Sequence, residues 1–299
     1  MDARARECAW CGAALPPDRG RLAGRAVCER CGVATTDPWP SDQTLTDAYK
    51  GWYRPVGGRF LGAGDALLRR SRGALALRLE QIGPPGPVLD VGAGDGSLVD
   101  AIRARGHTAV GLERVPTRPD IRAGDIMDVD EGDWSAIVFW HSLEHLRAPG
   151  TALAHAAELL RDGGALVVAA PNAASLQARA FGDRWLALDL PRHLVHMPAG
   201  ALIGRLRELG LDVTRVSYVR GGQVVFGWLH GLVGTVPGTA DLYDAVRRPE
   251  ARSAPVSRAQ RARTLAAGVA LLPVAAAAAA VEIALRRGGS VYVEAIRRR

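Results

Sequence analysis

The 299-residue sequence is almost without lysine. Lys50 is the only one, so arginine supplies 37 of the 38 basic side chains. Together with abundant alanine and glycine, this is the coding bias expected of a GC-rich bacterial genome. It also changes how the net charge of +7 is read. A basic chain invites a nucleic-acid partner. Here the arginines are spread along the sequence, with local concentration only near 247–263 and at the C-terminus. Nucleic acid is therefore not the expected main partner. A second absence lies at the start: MDARARECAWCG has no apolar core of signal-peptide length. A cytoplasmic location is expected, where thiols stay reduced. Cysteine is scarce too, four in all, and disulfides are not expected for them. With 48% hydrophobic and 23% charged residues the chain should be globular. Its length allows one large domain with appendages or two modest ones.

All four cysteines fall in one pattern. Cys8 and Cys11 form a C-x-x-C, and Cys28 and Cys31 form another 16 residues later. Each pair suits a tight knuckle, with Gly12 and Gly32 following where the turn needs them. Two knuckles give a tetrahedral thiolate set for zinc. Four thiolates leave no open coordination position, so the metal is structural, and a ribbon over 1–38 can fold around it with little core. A linker with N-terminal helices is expected over 39–83, with a helical stretch at 61–82. Tyr49 and Tyr53 are spaced i,i+4 there and share a face, either covering a ligand or packing on the core.

From residue 84 the chain alternates. Strands are expected at Val88–Val91, 107–112, 121–123, 136–140 and 165–170. Helices are expected at 97–105, 149–161 and 199–209, and a further strand at 211–218. Such alternation predicts a parallel sheet with helices on both faces and ligands beyond the carboxyl ends of the strands. Those ends carry the informative residues. The first reads LDVGAGDGS, with Asp90, Gly92, Gly94 and Gly96. A dinucleotide fingerprint would need glycine where Ser97 stands. Asp90 disfavours a pyrophosphate and suits a cationic ligand with an amino group and a sulfonium. Glu113, 21 residues past Gly92, can grip two ribose hydroxyls. Asp125 could accept from an adenine amino group, Ile126 could pack on the purine, and Trp140 closes the fourth strand beside this ligand.

In order and spacing, VLDVGAGDGSL, VGLE, AGDIMD and WHSLEHL resemble the motifs of class I S-adenosylmethionine (SAM)-dependent methyltransferases. The resemblance runs over about residues 86–218, and the upstream CGVATTDPWPSDQTLTDAYKGWYR looks like a bacterial subset with an N-terminal zinc ribbon. It implies an α/β fold: a seven-stranded Rossmann-like methyltransferase sheet in a core at 84–218. It adds an antiparallel last strand, which SVYVEAIR (290–297) fits, within a final segment at 290–299 inserted beside 211–218. SAM is the implied cofactor, beside structural zinc on Cys8, Cys11, Cys28 and Cys31.

In this fold FWHSLEHL (139–146) lies beside the donated methyl group. Three readings stand. Glu144 and His145 could simply orient the next loop. The stretch also resembles the E-x-x-E-H of small-RNA 2′-O-methyltransferases and ubiquinone-pathway O-methyltransferases, which hold a divalent cation; here His141 replaces the first acid. Or a histidine is the general base. His193, in the segment FGDRWLALDLPRHLVHM, is the first candidate base, His141 the second, and His145 a third; His196 reads as a core or surface residue.

The last feature is an apolar helical insert, 219–289. TLAAGVALLPVAAAAAAV (264–281) runs 18 residues without a charge, but it is alanine-rich and contains Pro273. If 290–297 returns to the sheet, a single crossing is excluded. The insert then either lies on the inner membrane face, its arginines 247, 248, 252, 258, 261 and 263 toward anionic headgroups, or packs on the sheet edge or a second subunit in a homodimer. The expected activity is methylation of a hydroxyl on a small molecule, sugar or lipid-linked glycan. An RNA methyltransferase using the ribbon for recognition and a non-enzymatic SAM-binding adaptor are the rival readings.

Overall fold

The computed structural model describes residues 4–16, 21–22, 24–49, 60, 64–219 and 222–298; Tyr53 and residues 61–63 lie outside them. The two cysteine knuckles are built alike. Cys8 N donates to Ala13 O and Gly12 N to Cys8 O, and Cys28 N donates to Val33 O and Gly32 N to Cys28 O. Gly12 and Gly32 both sit at φ 70°, a conformation that strains any side chain. Beside the knuckles run β1 (Arg21–Leu22), β2 (Arg25–Val27) and β3 (Ala34–Thr36). These form an antiparallel sheet whose fourth strand, Val195–His196, comes from the far side of the sequence.

Helices α1 (Asp42–Tyr49) and α2 (Gly64–Ile82) lead into the core. There β4 (Val88–Val91), α3 (Ser97–Arg103), β5 (Ala109–Glu113), β6 (Arg122–Ala123), β7 (Trp134–Trp140), α4 (Pro149–Leu159) and β8 (Leu160–Pro171) follow in turn. After α5 (Leu176–Phe181) and β9 (Val195–His196) come α6 (Ala199–Glu208) and β10 (Leu211–Ser217). Then come α7 (Gln223–Val233), α8 (Leu242–Val246), α9 (Arg258–Ala284) and β11 (Ser290–Arg297). The large sheet has seven strands in the order β10-β11-β8-β7-β4-β5-β6. Pairings from β8 through β6 are parallel, and β11 is antiparallel to both its neighbours. This is the expected Rossmann-like methyltransferase sheet, with the last strand inserted beside β10. The chain reverses direction across the sheet between β4 and β7, which opens a crevice at their carboxyl ends.

Strand β4 and the 164–170 stretch of β8 are buried on both faces, which is why, Asp90 apart, they read as apolar runs. One face packs Leu75 and Leu79 of α2 and Leu98 and Ile102 of α3 against Val138 and Val167. The other packs α4 and α6 together with Trp10 and Val33 of the ribbon, so the ribbon shares the core of the sheet. A side chain on Gly150, in the first turn of α4, would strike the Trp10 carbonyl. The helix expected to reach 161 stops at Leu159, because Leu160 already pairs with Trp134, with a bulge before Ala165 rejoins Ala136.

The insert packs back on the core. Glu282 of α9 is fully buried and accepts from Gln177 N, Gln177 Nε2 and Trp228 Nε1, each at 2.9 Å. Of the six arginines of 247–263, Arg247, Arg252 and Arg261 are turned into the fold, while Arg248, Arg258 and Arg263 are exposed. Arg247 is 2% exposed, stacks 3.9 Å from the Tyr243 ring centroid and donates to Ala251 O. Arg252 and Arg261 donate to the carbonyls of Asp244 and Ala245. Beyond its first two turns α9 exposes apolar side chains, among them Val269, Leu272, Val274 and Val281.

Helix α2 is held to the sheet by a buried charge. Glu294 of β11 is fully buried and accepts from Arg78 Nε at 2.9 Å, Arg78 Nη2 at 2.7 Å and Tyr292 Oη at 2.8 Å. Burial pushes its carboxyl up, but Arg78 and Tyr292 outweigh that and hold it below the usual range. Arg78→Leu strands the carboxylate and is expected to cost about 3 kcal/mol in urea unfolding. The pair's contribution is present above the ordinary glutamate range and is lost as pH falls through the depressed value.

Candidate active site

The site is built on the turn after β4. Gly92, Gly94 and Gly96 all have positive φ, at 77°, 63° and 75°. Gly92 N and Ala93 N donate to Leu112 O, which ties the loop to β5. A Cβ on Gly92 would collide with Ser142, whose hydroxyl donates to Val91 O at 2.5 Å. Gly92 therefore lets the segment after β7 close on the end of β4. Gly94 is different: nothing lies within 4 Å of its missing Cβ except the Gly92 carbonyl at the limit, so the loop is open to a ligand there.

Three carboxylates lie at the ends of successive strands beside that loop. Asp90 is 3% exposed, and burial pushes it up to about 7; the Arg72 guanidinium opposes the rise, while Glu113 and Asp95 add to it. Glu113, ending β5, accepts from Gly94 N and Arg114 N, both at 3.0 Å. Asp125 follows β6 and caps a short turn, accepting from Met127 N, while Asp128 bonds back to Asp125 N. Ile126 corrects the sequence reading. It has no exposed surface and packs in the core, because the capped turn points it inward; Met127, 48% exposed, is the apolar side chain beside Asp125 that could cover a purine. Trp140 is half-buried, with the Arg72 guanidinium 4.7 Å from its ring centroid and Tyr292 edge-on to it.

A second cluster follows β7. His141 has φ 53°, its amide donating to Ala169 O at 2.7 Å. Leu143–His145 make one 3₁₀ turn. Leu194 N donates to Glu144 O at 2.8 Å, which brings His193 onto the turn. Glu144 is 1% exposed; burial pushes its carboxyl up, but the surrounding rings of His141, His145 and His193 hold it at about 2. His145 is pushed down to about 4 by burial and by His193. Its Nδ1 lies 2.9 Å from Arg192 O and 3.0 Å from Tyr49 Oη, so Tyr49 joins this cluster. His196 is buried behind His193, ring centroids 6.4 Å apart, and bonded to Thr36, and burial holds it well below the usual imidazole range.

Residues 65–216, just over half of the chain, match the family described as "Methyltransferase domain". The chain belongs to that family. It is a class I SAM-dependent methyltransferase. Among curated proteins none matches it. Solved structures with a similar fold include the [4+2]-cyclase SpnF, at 20% identity, TM-score 0.46, covering 83% of this chain and 85% of that one. A SAM-dependent methyltransferase from Archaeoglobus fulgidus matches at 14% identity and TM-score 0.46, over 78% of this chain and 100% of that one. An O-methyltransferase family protein from Burkholderia thailandensis matches at 20% identity and TM-score 0.41, over 50% and 53%.

In the methyltransferase the residues named from sequence fall into two groups. Asp90, Gly92, Gly94, Gly96, Glu113 and Asp125 lie at the carboxyl ends of β4, β5 and β6, and their carboxylates are acceptors that fit the amino group, ribose hydroxyls and adenine amino group of SAM. His141, Glu144, His145 and His193 form the adjoining cluster. The cysteines lie elsewhere, in the ribbon. Cys8 Sγ and Cys31 Sγ are 3.6 Å apart and Cys11 Sγ and Cys28 Sγ 3.7 Å, close to the ~3.8 Å edge of a tetrahedron with 2.3 Å zinc–sulfur bonds. Burial pushes the Cys8 and Cys31 thiols up, a cost a coordinated cation removes. The residues thus fit zinc. Sequence reasoning missed Arg72, Ser142 and Thr36. Thr36 donates to His193 O at 2.6 Å from the ribbon, and no local pattern announces that contact.

The raised Asp90 is expected to give SAM binding a pH dependence. If the cationic methionine end of SAM sits against Asp90, it favours the charged carboxylate, and below about pH 7 binding must release a proton. Calorimetric affinity is expected to rise by up to roughly tenfold per pH unit up to about 7 and then level off. In the free protein the sign is opposite: a carboxyl raised from 3.8 to about 7 costs stability as pH climbs through that window. Asp90→Asn should therefore raise the melting temperature at alkaline pH while weakening SAM binding and abolishing its pH dependence.

Proposed function

We propose that this methyltransferase moves the methyl group of SAM to a hydroxyl of a small molecule, sugar or lipid-linked glycan, with His141 as the base. The observation that carries this reading is the position of His141. It directly follows β7, the neighbour of β4, its side chain is 23% exposed, its Nδ1 lies 3.5 Å from Glu144 Oε1, and its buried Nε2 has no hydrogen-bond partner among the described residues. A carboxylate behind an imidazole raises its basicity and orients it, as acceptance of a hydroxyl proton needs. His193, favoured from sequence, is only 8% exposed and gives its Nδ1 to the Ala187 carbonyl at 2.8 Å, so it suits a supporting part. The net charge supports RNA less than it first suggests, because Arg78, Arg103, Arg118, Arg161 and Arg297 are all engaged within the fold.

The lipid-linked version draws on α9. Among the described residues this helix alone has the length and composition to cross a membrane, and 22% of its apolar window is buried. With both ends of the insert held by the core, an in-plane contact suits it better than a crossing. On this reading the enzyme works in the cytoplasm, at the inner membrane face when its acceptor is lipid-linked, and the ribbon holds zinc.

Purified protein with methyl-labelled SAM and a bacterial extract is expected to label the lipid or small-molecule fraction; label in RNA would overturn the acceptor class. His141→Ala is expected to lower kcat by roughly 10²–10⁴-fold with SAM affinity unchanged. Retained kcat would remove the base assignment.

A further inference from the structure

Just past the end of β8 lies a cavity of about 430 Å³ that, among the described residues, is lined by three arginines and no acid. Arg179 comes from α5, and Arg286 and Arg287 from the turn between α9 and β11; Tyr218 and the start of α6 complete it. No hydrogen bond or ion pair engages any of the three guanidinium groups among the described residues. Arg78, Arg103, Arg118, Arg161 and Arg297, by contrast, each close on an acid or a carbonyl. Three like charges around one space repel, and a counter-anion relieves them.

The walls are fixed by one buried side chain. Asn172, 2% exposed, donates from Nδ2 to Gly288 O at 3.0 Å, and its Oδ1 accepts from Ala199 N at 3.0 Å and Ala174 N at 3.2 Å. It thus holds the arginine turn against the start of α6. In the first turn of that helix, Ala201 N and Leu202 N turn to Pro198 O. Gly200 N has no acceptor among the described residues, and nothing lies within 4 Å of its missing Cβ. A free amide there adds the positive end of the helix dipole to the arginines. Arg286 has φ 54° and directly follows the C-cap Leu285, a position where glycine fits without strain.

Guanidinium forks match phosphate oxygens two at a time, and a helix N-terminus supplies backbone donors to the same anion. The cavity also stands near the methyl-transfer site. His141 N is bonded to Ala169 O, and Ala169 precedes Asn172 by three residues, about 10 Å of extended chain. We propose that this cavity binds a phosphate or diphosphate group of the acceptor. Resting on the hydroxyl-methylation reading, the substrate is then a phosphorylated sugar, free or lipid-linked, whose phosphate sits among Arg179, Arg286 and Arg287 while a sugar hydroxyl meets His141. The exposed apolar face of α9 runs to Arg286, so a lipid tail would leave the protein along it.

The test of the cavity needs no acceptor, so it holds or fails apart from that reading. Zinc-loaded full-length protein, saturated with S-adenosylhomocysteine, is titrated calorimetrically with inorganic pyrophosphate at low ionic strength. The expected result is saturable binding, weakened at least fivefold by Arg179→Ala, by Arg287→Ala and by Arg286→Gly. Arg258→Ala, at the far end of α9, should leave it unchanged. Arg286→Gly should also raise the melting temperature by about 2 °C, so its lost affinity is not lost fold. No pyrophosphate binding, or equal binding by all four variants, would overturn the site. The acceptor class is tested on the product labelled from methyl-labelled SAM and extract, which should bind an anion exchanger until phosphatase or mild acid removes its phosphate. Label extracted into organic solvent identifies the lipid-linked source, and label left in water the free sugar phosphate. A neutral labelled product would overturn the phosphorylated substrate. Label in RNA would overturn the hydroxyl reading of small acceptors, with the pyrophosphate titration still deciding the cavity.

Discussion

Leu194 donates its amide to the Glu144 carbonyl at 2.8 Å, and three remote parts of the chain meet at that bond. Buried backbone groups must be paired, so the contact is costly to break. On one side, Ser142 clamps the turn to the end of β4 through the Val91 carbonyl, a closure that only glycine at 92 permits. On the other, Thr36 of the ribbon holds the His193 carbonyl, and β9 pairs with β3. The cofactor loop, the histidine cluster and the ribbon thus share one set of constraints. Losing the ribbon's fold would loosen His193 although no cysteine lies in the active site.

Much of the core was legible because it repeats simple physics. Alternating apolar runs gave the strands, and acids at strand ends marked the crevice. The insertion of β11 beside β10 needed the family resemblance, since an alternating strand does not announce its neighbour. Two features were hidden. Strand β9 is two residues long and carries no pattern, so its pairing with the ribbon could not be read. Ile126 was misassigned because a capping turn between Asp125 and Asp128 decides which neighbour points inward, and that geometry is not a matter of hydrophobicity. The arginines of the insert were illegible in the same way: Arg247, which caps a carbonyl in the core, looks in sequence like Arg258, which faces solvent.

Charge is used locally in this methyltransferase. Most of the arginines discussed close loops or pair with acids, and Arg78 allows a glutamate inside the sheet. Asp90 is the counter-example. It is kept buried, with one guanidinium to oppose two nearby acids, and its ionisation is unfavourable until a cation arrives. Stability surrendered at that position is what a cationic ligand can recover, a trade common at binding sites.

The strand order carries a consequence for synthesis. β11 fills the gap between β10 and β8, yet it follows every other strand of its sheet in sequence. On the ribosome, β8 and β10 emerge first and must wait with exposed ladder edges, while the alanine-rich α9 leaves the exit tunnel before the strand that draws it home. The growing chain therefore passes through a stage with an unclosed sheet and an unsheltered apolar helix. Such a nascent species is aggregation-prone, and a chaperone has the most to protect there.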